Sequence, residues 1–548
     1  MVRSQRRKEL GKVHSTRSFM MRKFSFNGDG ACVAIVLAVS LFTAAFFGQS
    51  FPVSDDGLRA VTMAGQFMKN AGEGRIDMYK PYIGVNLFLV PSVSLAGPTR
   101  EVFKASQTLF TVLAVLVTFF VAKTLFDRKT ALLSSITLAF MPLFVMIRWD
   151  EQQFLIFGFM AAMFLCLDFY RKRRTQSLYL ASFIFGVSMY VKLTTLYFMA
   201  ATLFSYALLI RWKKVSKPRL VPRAAALAAV FFLVGMSPLI LYNVQNDWKT
   251  ASLLVGGAFH ESGSFMGGLP LRFGQLFLAA EGFEDSYPLS HIFMPAVGLG
   301  AGILLLAFIV GLLGRKPSDV FLIVSILGFT FLSALVPPPS PLRIIHLCYV
   351  LPFASIIMAR FFLSLMKRRL LLGLVLFAIL ISLNFTNMWT ASARLSDESW
   401  IEENFQRASQ VHYGFGQFLR DGDTLMVPWM KMTLLNLDYM HVNGLNFERG
   451  SVCGAVKEND RSVATCNTTM IEEYMYANLS GRLLFVGVPL ERTSYSIYEE
   501  DCADEGGICY KPLLVVMEAA KAAGREMQKI GVVNDSKGDE AYSVYLIK

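Results

Sequence analysis

The stretch "ACVAIVLAVSLFTAAFFGQSFPVSDDGLRA", residues 31–60, runs without a charge from Ala31 to Ser54 and then presents two adjacent carboxylates, Asp55 and Asp56. Its apolar part, 31–49, is long enough to cross about 30 Å of hydrocarbon as a helix. Residues 1–30, "MVRSQRRKELGKVHSTRSFMMRKFSFNGDG", form a basic leader. A cleaved signal peptide has a shorter basic region and a small-residue cleavage site after its apolar run, so 31–49 reads as a retained first transmembrane helix.

Working outward, comparable apolar segments recur near 105–122, 131–147, 153–170, 177–191, 194–210, 222–241, 292–313, 319–336, 342–363 and 370–389. A mean hydropathy of +0.46, with 54% hydrophobic residues, excludes one soluble globule for the 548 residues. The sequence predicts a polytopic α-helical membrane protein with about eleven transmembrane helices.

The net charge of +13 does not point to nucleic acid, because the basic residues sit in short clusters between apolar segments. The leader, "KTLFDRK" (123–129), "RKRR" (171–174), "RWKKVSKPR" (211–219), "GRK" (314–316) and "KRR" (367–369) share one side if the spans alternate. By the positive-inside rule that side is cytoplasmic. The moderately apolar "PYIGVNLFLVPSVSLAG" (81–97) would reverse this order as a span, so it reads as an interfacial helix.

Residues 395–548 differ in kind. They carry 14 Lys and Arg against 23 Asp and Glu, a net −9, leaving +22 on the membrane part. Strand-like runs at 424–429, 482–488 and 541–547 alternate with helix-like stretches such as 512–531, which predicts a small α/β domain outside the membrane. Three parts result: a cytoplasmic leader (1–30), a transmembrane domain (31–394) and an extracytoplasmic domain (395–548). Four cysteines, Cys453, Cys466, Cys502 and Cys509, fall in the last part, and Cys32, Cys166 and Cys348 in or beside apolar segments. An even number in an external domain suggests two disulfides, Cys453–Cys466 and Cys502–Cys509, with four free thiols as the alternative. Their spacing does not match zinc ligation. Sequons at Asn467 and Asn478 agree with an external location.

Two acidic pairs stand at the external ends of spans: Asp55–Asp56 and, in "RWDEQQ" (148–153), Asp150–Glu151. On the same side lie the cations Arg59, Lys80, Arg148, Lys192, Arg272 and Arg343, with His346. Each has an ordinary explanation, since Asp55 and Asp150 can cap helices and Lys80, Lys192 or Arg343 can reach to the interface from a membrane helix. Grouped on one face, acids able to take a proton and cations able to hold a phosphate suggest group transfer from a lipid-linked donor.

In this order and spacing the residues resemble the GT-C superfamily of membrane glycosyltransferases, in the branch of the protein O-mannosyltransferases and the lipid A aminoarabinose transferase. "DDGLRA" is similar to that branch's Asp-Glu-x-x-x-x-Ala, with Asp56 in place of Glu, and Lys80-Pro81 to its Lys-Pro. "LFDRKTALLSSITLAFMPLFV" (125–145), "IRWDEQQFLIFGFM" (147–160), "GVSMYVKLTTLYF" (186–198) and "RIIHLCYVLPFASIIMA" (343–359) continue it. Coverage is residues 31–390. "YKPY" lacks the branch's second Pro, and the Trp-Trp-Asp motif of oligosaccharyltransferases is absent.

The resemblance implies an inverting transferase in the cell membrane or endoplasmic reticulum. It would move one sugar from a polyprenyl phosphate to a glycan, lipid or protein hydroxyl outside the cytoplasm. Asp55 would be the general base, with Asp56 beside it, and Asp150 would orient the sugar or acceptor. Lys80 and Arg343 would hold the phosphate, with Arg59, Glu151, Lys192 and His346 as further substrate contacts. No metal is expected to be obligatory, although two acid pairs suit Mg²⁺ or Mn²⁺. The competing readings are a transporter or flippase of a polyprenyl-linked sugar or other anionic lipid, and an inactive accessory subunit. Transporters usually show internal repeats and mid-span charges, neither of which is found here.

Overall fold

The computed structural model describes residues 30–50, 86–97, 100–146, 152–192, 194–212, 221–245, 265–279, 290–335, 344–396, 424–426, 453–458, 461–466, 483–487, 511–534 and 540–548, with a few isolated positions between them. Two compact units emerge. The first comprises residues 1–51, 80–85 and 105–392, and the second 52–79, 86–104 and 393–548.

The first unit is helical. Its elements are α1 (Gly30–Ser50), followed past the second unit's α2 (Asn86–Ala96) by α3 (Arg100–Leu125), whose first turn also falls in the second unit, α4 (Arg128–Ala139), α5 (Pro142–Met146) and α6 (Gln152–Lys172). Then come α7 (Thr175–Val191), α8 (Thr195–Arg211), α9 (Pro222–Gly235), α10 (Ser237–Gln245), α11 (Phe265–Ala279), α12 (Ser290–Gly314) and α13 (Pro317–Leu335). A 3-10 helix (Ile344–Val350) leads into α14 (Leu351–Arg368), and α15 (Leu370–Leu395) ends the unit. Each of the eleven apolar segments is helical over most of its described residues.

Among the described residues six helices are long and apolar enough to span a membrane, or seven if the bent pair α9–α10 is one span. Local breaks account for two of the segments that do not count as single spans. Asp127 caps α4, its carboxylate accepting from Thr130 N at 2.8 Å, but the helix ends at Phe140 and restarts at Pro142. Proline lacks an N–H and pushes its predecessor out of the helical region, so 131–147 becomes two helices. Pro238 acts likewise between α9 and α10, which meet at 62°. α7 and α8 are unbroken but only 17 residues long.

An aromatic cluster holds the bundle's middle. Phe198 packs against Phe159, Phe329 and Phe353 with ring centroids 3.9–5.3 Å apart. Ser205 Oγ donates to Phe321 O at 2.8 Å, so with the Phe198–Phe329 contact α8 and α13 run antiparallel. α1 joins through Phe47–Phe385 and through a hydroxyl hydrogen bond between Ser50 and Ser392.

Within the 81–97 segment, Asn86–Ala96 form α2, and Leu95 is exposed. In the C-terminal part β1 (Thr424–Met426), β4 (Leu483–Gly487), β6 (Glu540–Ile547) and β5 (Met527–Asn534) form one sheet in the order β1-β4-β6-β5. β1 pairs parallel to β4, and the other two pairings are antiparallel. The face of α16 (Lys511–Ala522) that carries Leu513, Val516 and Ala520 packs with Met426, Leu483, Phe485 and Ile547 in one core. This spacing repeats one helical face.

The expected helix over 512–531 is corrected here. α16 stops at Ala522, because Gly524 takes a left-handed φ of +69°, with Gly524 N bonded to Lys521 O and Arg525 N to Ala520 O. These are the two bonds of a Schellman cap, and the chain continues as β5. A hairpin that the sequence reading lacked pairs β2 (Cys453–Glu458) with β3 (Arg461–Cys466), making Cys453 and Cys466 register partners at its open end.

Candidate active site

Within the first unit, the helix ends that flank Arg148, Asp150, Glu151 and Arg343 pack against one another. α5 ends at Met146 and α6 starts at Gln152, on either side of Arg148, Asp150 and Glu151. The 3-10 helix starts immediately after Arg343, and it packs against α5, α6, α11 and α13. α1, which leads toward Asp55, packs against α5. Asp55, Asp56, Arg59, Lys80, Arg148, Asp150, Glu151 and Arg343 themselves lie outside the described residues, as do Cys502 and Cys509. The backbone of His346 belongs to the 3-10 helix.

What holds this end is polar and buried. Gln153 is 1% exposed, and its Nε2 donates to Phe144 O at 2.8 Å. That bond ties the first turn of α6 to α5 and so fixes both ends of the segment bearing Asp150 and Glu151. Lys192 sits at the C-terminal cap of α7 in extended conformation, its N–H donating to Ser188 O at 3.0 Å. Thr195 Oγ1 reaches the same carbonyl at 3.1 Å, and Thr194 Oγ1 meets the Tyr349 hydroxyl of the 3-10 helix at 3.5 Å. Lys192 and the 3-10 helix therefore share one corner of the bundle.

Arg272 in α11 is 2% exposed and donates from Nη1 to Gln275 Oε1 at 2.8 Å. Burial pulls its pKa down to about 10, which leaves it charged at neutral pH. A guanidinium so enclosed is costly to keep, and groups perturbed in this way cluster at functional sites. Sequence reading named Arg272 only as one cation among several. It did not single out Gln153, Gln275 or Tyr349, although the doubled Gln after Asp150–Glu151 was a visible signal.

The basic clusters end the helices at the opposite pole. Arg360 of α14 meets Asp319 of α13 at 3.3 Å and lies over the Phe126 ring just after α3, 4.6 Å from its centroid. Among the described residues no group of three His, Cys, Asp or Glu is placed to hold a metal.

Residues 80–242 match the family model described as dolichyl-phosphate-mannose-protein mannosyltransferase. No curated protein matches the chain in sequence. Among solved structures, ArnT from Cupriavidus metallidurans bound to undecaprenyl phosphate is similar at a TM-score of 0.57 and 14% identity, covering 95% of this chain and 98% of its own. Its apo form gives 0.58 at 13% identity, with 94% and 97% covered. The archaeal oligosaccharyltransferase AglB from Archaeoglobus fulgidus, in complex with an inhibitory peptide and a dolichol-phosphate, gives 0.50 at 12% identity, covering 93% of this chain and 74% of its own. In its fold this chain is similar to ArnT over nearly the whole length of both chains, and to AglB over most of its own.

Proposed function

We propose that the protein is an integral-membrane, inverting glycosyltransferase that moves one sugar from a polyprenyl phosphate to an acceptor hydroxyl outside the cytoplasm. The observation that carries this reading is the end-to-end likeness to ArnT, a protein crystallised with undecaprenyl phosphate, joined to a family match that begins at Lys80. An alcohol is a poor nucleophile near neutral pH, so the reaction needs a base, and Asp55 is assigned that role with Asp56 as its neighbour. Lys80 and Arg343 stabilise the leaving phosphate, and Asp150 orients sugar or acceptor. Arg59, Glu151, Lys192 and His346 are assigned as further substrate contacts. Two cations on a monophosphate suffice to neutralise it, so we assign no obligatory divalent metal.

The test is release of free polyprenyl phosphate by the purified protein in nanodiscs, from a panel of polyprenyl-phosphate sugars, with and without chelator. Lys80→Ala is expected to raise KM for the donor about tenfold or more, the scale of one charge-assisted hydrogen bond. No release from any donor, with membrane acceptors and divalent metal supplied, would move the assignment to a transporter or flippase.

We also propose a Cys453–Cys466 disulfide in the extracytoplasmic domain. Cross-strand partners have Cβ atoms about 4.5–5.5 Å apart, close to disulfide range, and this hairpin pairs the two residues directly. Peptide mapping without reduction should recover residues 453 and 466 in one linked species that reduction separates. Recovery of both as free thiols from protein secreted through an oxidising compartment would refute the pairing.

A further inference from the structure

At the basic pole of the first unit, α12, α13 and α14 enclose a cavity of about 440 Å³. Three cations line it, Lys316, Arg360 and Arg368, against one acid, Asp319. Asp319 is 4% exposed and engages Arg360 through both carboxylate oxygens, at 3.3 and 3.4 Å. With the Phe126 ring on its other side, Arg360 is held in place rather than free to swing. Lys316 and Arg368 are exposed and have no ion-pair partner among the described residues. The cavity thus keeps two uncompensated positive charges.

Its remaining wall is apolar and faces outward. Val310 is 40% exposed and Leu313 76% exposed, with Leu365 across from them on α14. The α12 side is bare, because Gly314 has no side chain and a Cβ there would meet nothing within 4 Å. Arg315 takes a left-handed φ of 49°, which turns the chain sharply from α12 into α13 and sets Lys316 at the rim.

We propose that this cavity is a binding site for an anionic phospholipid of the leaflet that the basic loops contact. The phosphate sits between Lys316, Arg360 and Arg368, and one acyl chain lies in the bare strip beside Gly314. Charge complementarity selects the headgroup, since basic pockets between membrane helices favour anionic lipid and a zwitterionic one brings its own cation. The apolar strip selects a lipid over free phosphate. The site lies at the pole opposite the candidate active site, and its ligand is bound, not consumed. The Asp319–Arg360 pair alone is explained as a helix tie, and the positive-inside rule accounts for cations at these helix ends, but neither accounts for Lys316 and Arg368 converging on one cavity beside an apolar strip.

The experiment is native mass spectrometry of the full chain released from nanodiscs of phosphatidylcholine doped with phosphatidylglycerol. Wild type is expected to retain one phosphatidylglycerol at least about tenfold in preference to phosphatidylcholine. The double variant Lys316→Gln/Arg368→Gln, which leaves the Asp319–Arg360 pair intact, should lose that preference. Gly314→Leu should lower retention of either lipid by filling the strip, with the melting temperature unchanged. Equal retention in wild type and the double variant overturns the proposal. So does displacement of the lipid by millimolar inorganic phosphate, which would make this a free-phosphate site.

Discussion

Asp55→Asn is expected to lower turnover by about 10²-fold or more, while donor affinity stays within a few-fold of wild type, if Asp55 is the proposed base. Asn keeps the size and the hydrogen-bonding reach of the side chain but cannot accept the acceptor's proton. If Asp55 serves instead as a helix cap, Asn is nearly as good, and turnover is unchanged. The same substitution therefore separates chemistry from folding. The measurement is the rate of polyprenyl phosphate release at saturating donor, paired with donor binding at equilibrium. A variant as fast as wild type would remove Asp55 from the reaction and pass the base to Asp56 or Asp150. A variant that binds donor poorly would instead make Asp55 a binding residue.

Gly186→Ala and Gly235→Ala each destabilise the membrane unit by at least about 1–3 kcal/mol, the range of an overpacked interior. α7 and α9 meet backbone to backbone at these two residues. A Cβ on Gly186 would stand 2.1 Å from Phe232 O, and one on Gly235 would stand 2.3 Å from Phe183 O. Both obstacles are main chain, so no rotamer change relieves them and the helices must part. Small residues permit this close approach between helices in lipid, where the hydrophobic effect adds little to their association. Gly302→Ala is the control, since its Cβ would meet nothing within 4 Å. Thermal melting in detergent should show both glycine variants falling well below the control. Equal melting of all three would mean that the α7–α9 crossing is looser than described. Because α7 ends at Lys192, the shift also disturbs the corner that Lys192 shares with the 3-10 helix, so the variants are expected to lose turnover as well.

Much of this architecture was legible because each apolar segment reports its own solvent. A run such as 31–49 has one favourable environment whatever its neighbours do, and each of the eleven runs is helical over most of its described residues. The breaks were legible in principle, since Pro142 and Pro238 announce themselves, but the length of a run conceals them. The helix over 512–531 failed for a similar reason. Its apolar pattern continues through 529–533, and the Gly524 cap that ends α16 outweighs that pattern. The hairpin joining Cys453 to Cys466 went unread because its strands are short and polar, with a register set by pairing rather than by hydrophobic alternation.

By itself, then, the sequence determined that this chain is a polytopic helical membrane protein, that its basic residues cluster between apolar segments, and that an acidic part of mixed α/β type follows. These are properties of segments, fixed by transfer between water and lipid and by local charge. Only the tertiary structure decided which segments touch. It tied Gln153 to Phe144 across the Asp150 segment, crossed α7 and α9 at two glycines, and closed Arg360 onto Asp319, 41 residues away in sequence. Such contacts depend on the shapes of two surfaces at once, and a hydropathy pattern records only one.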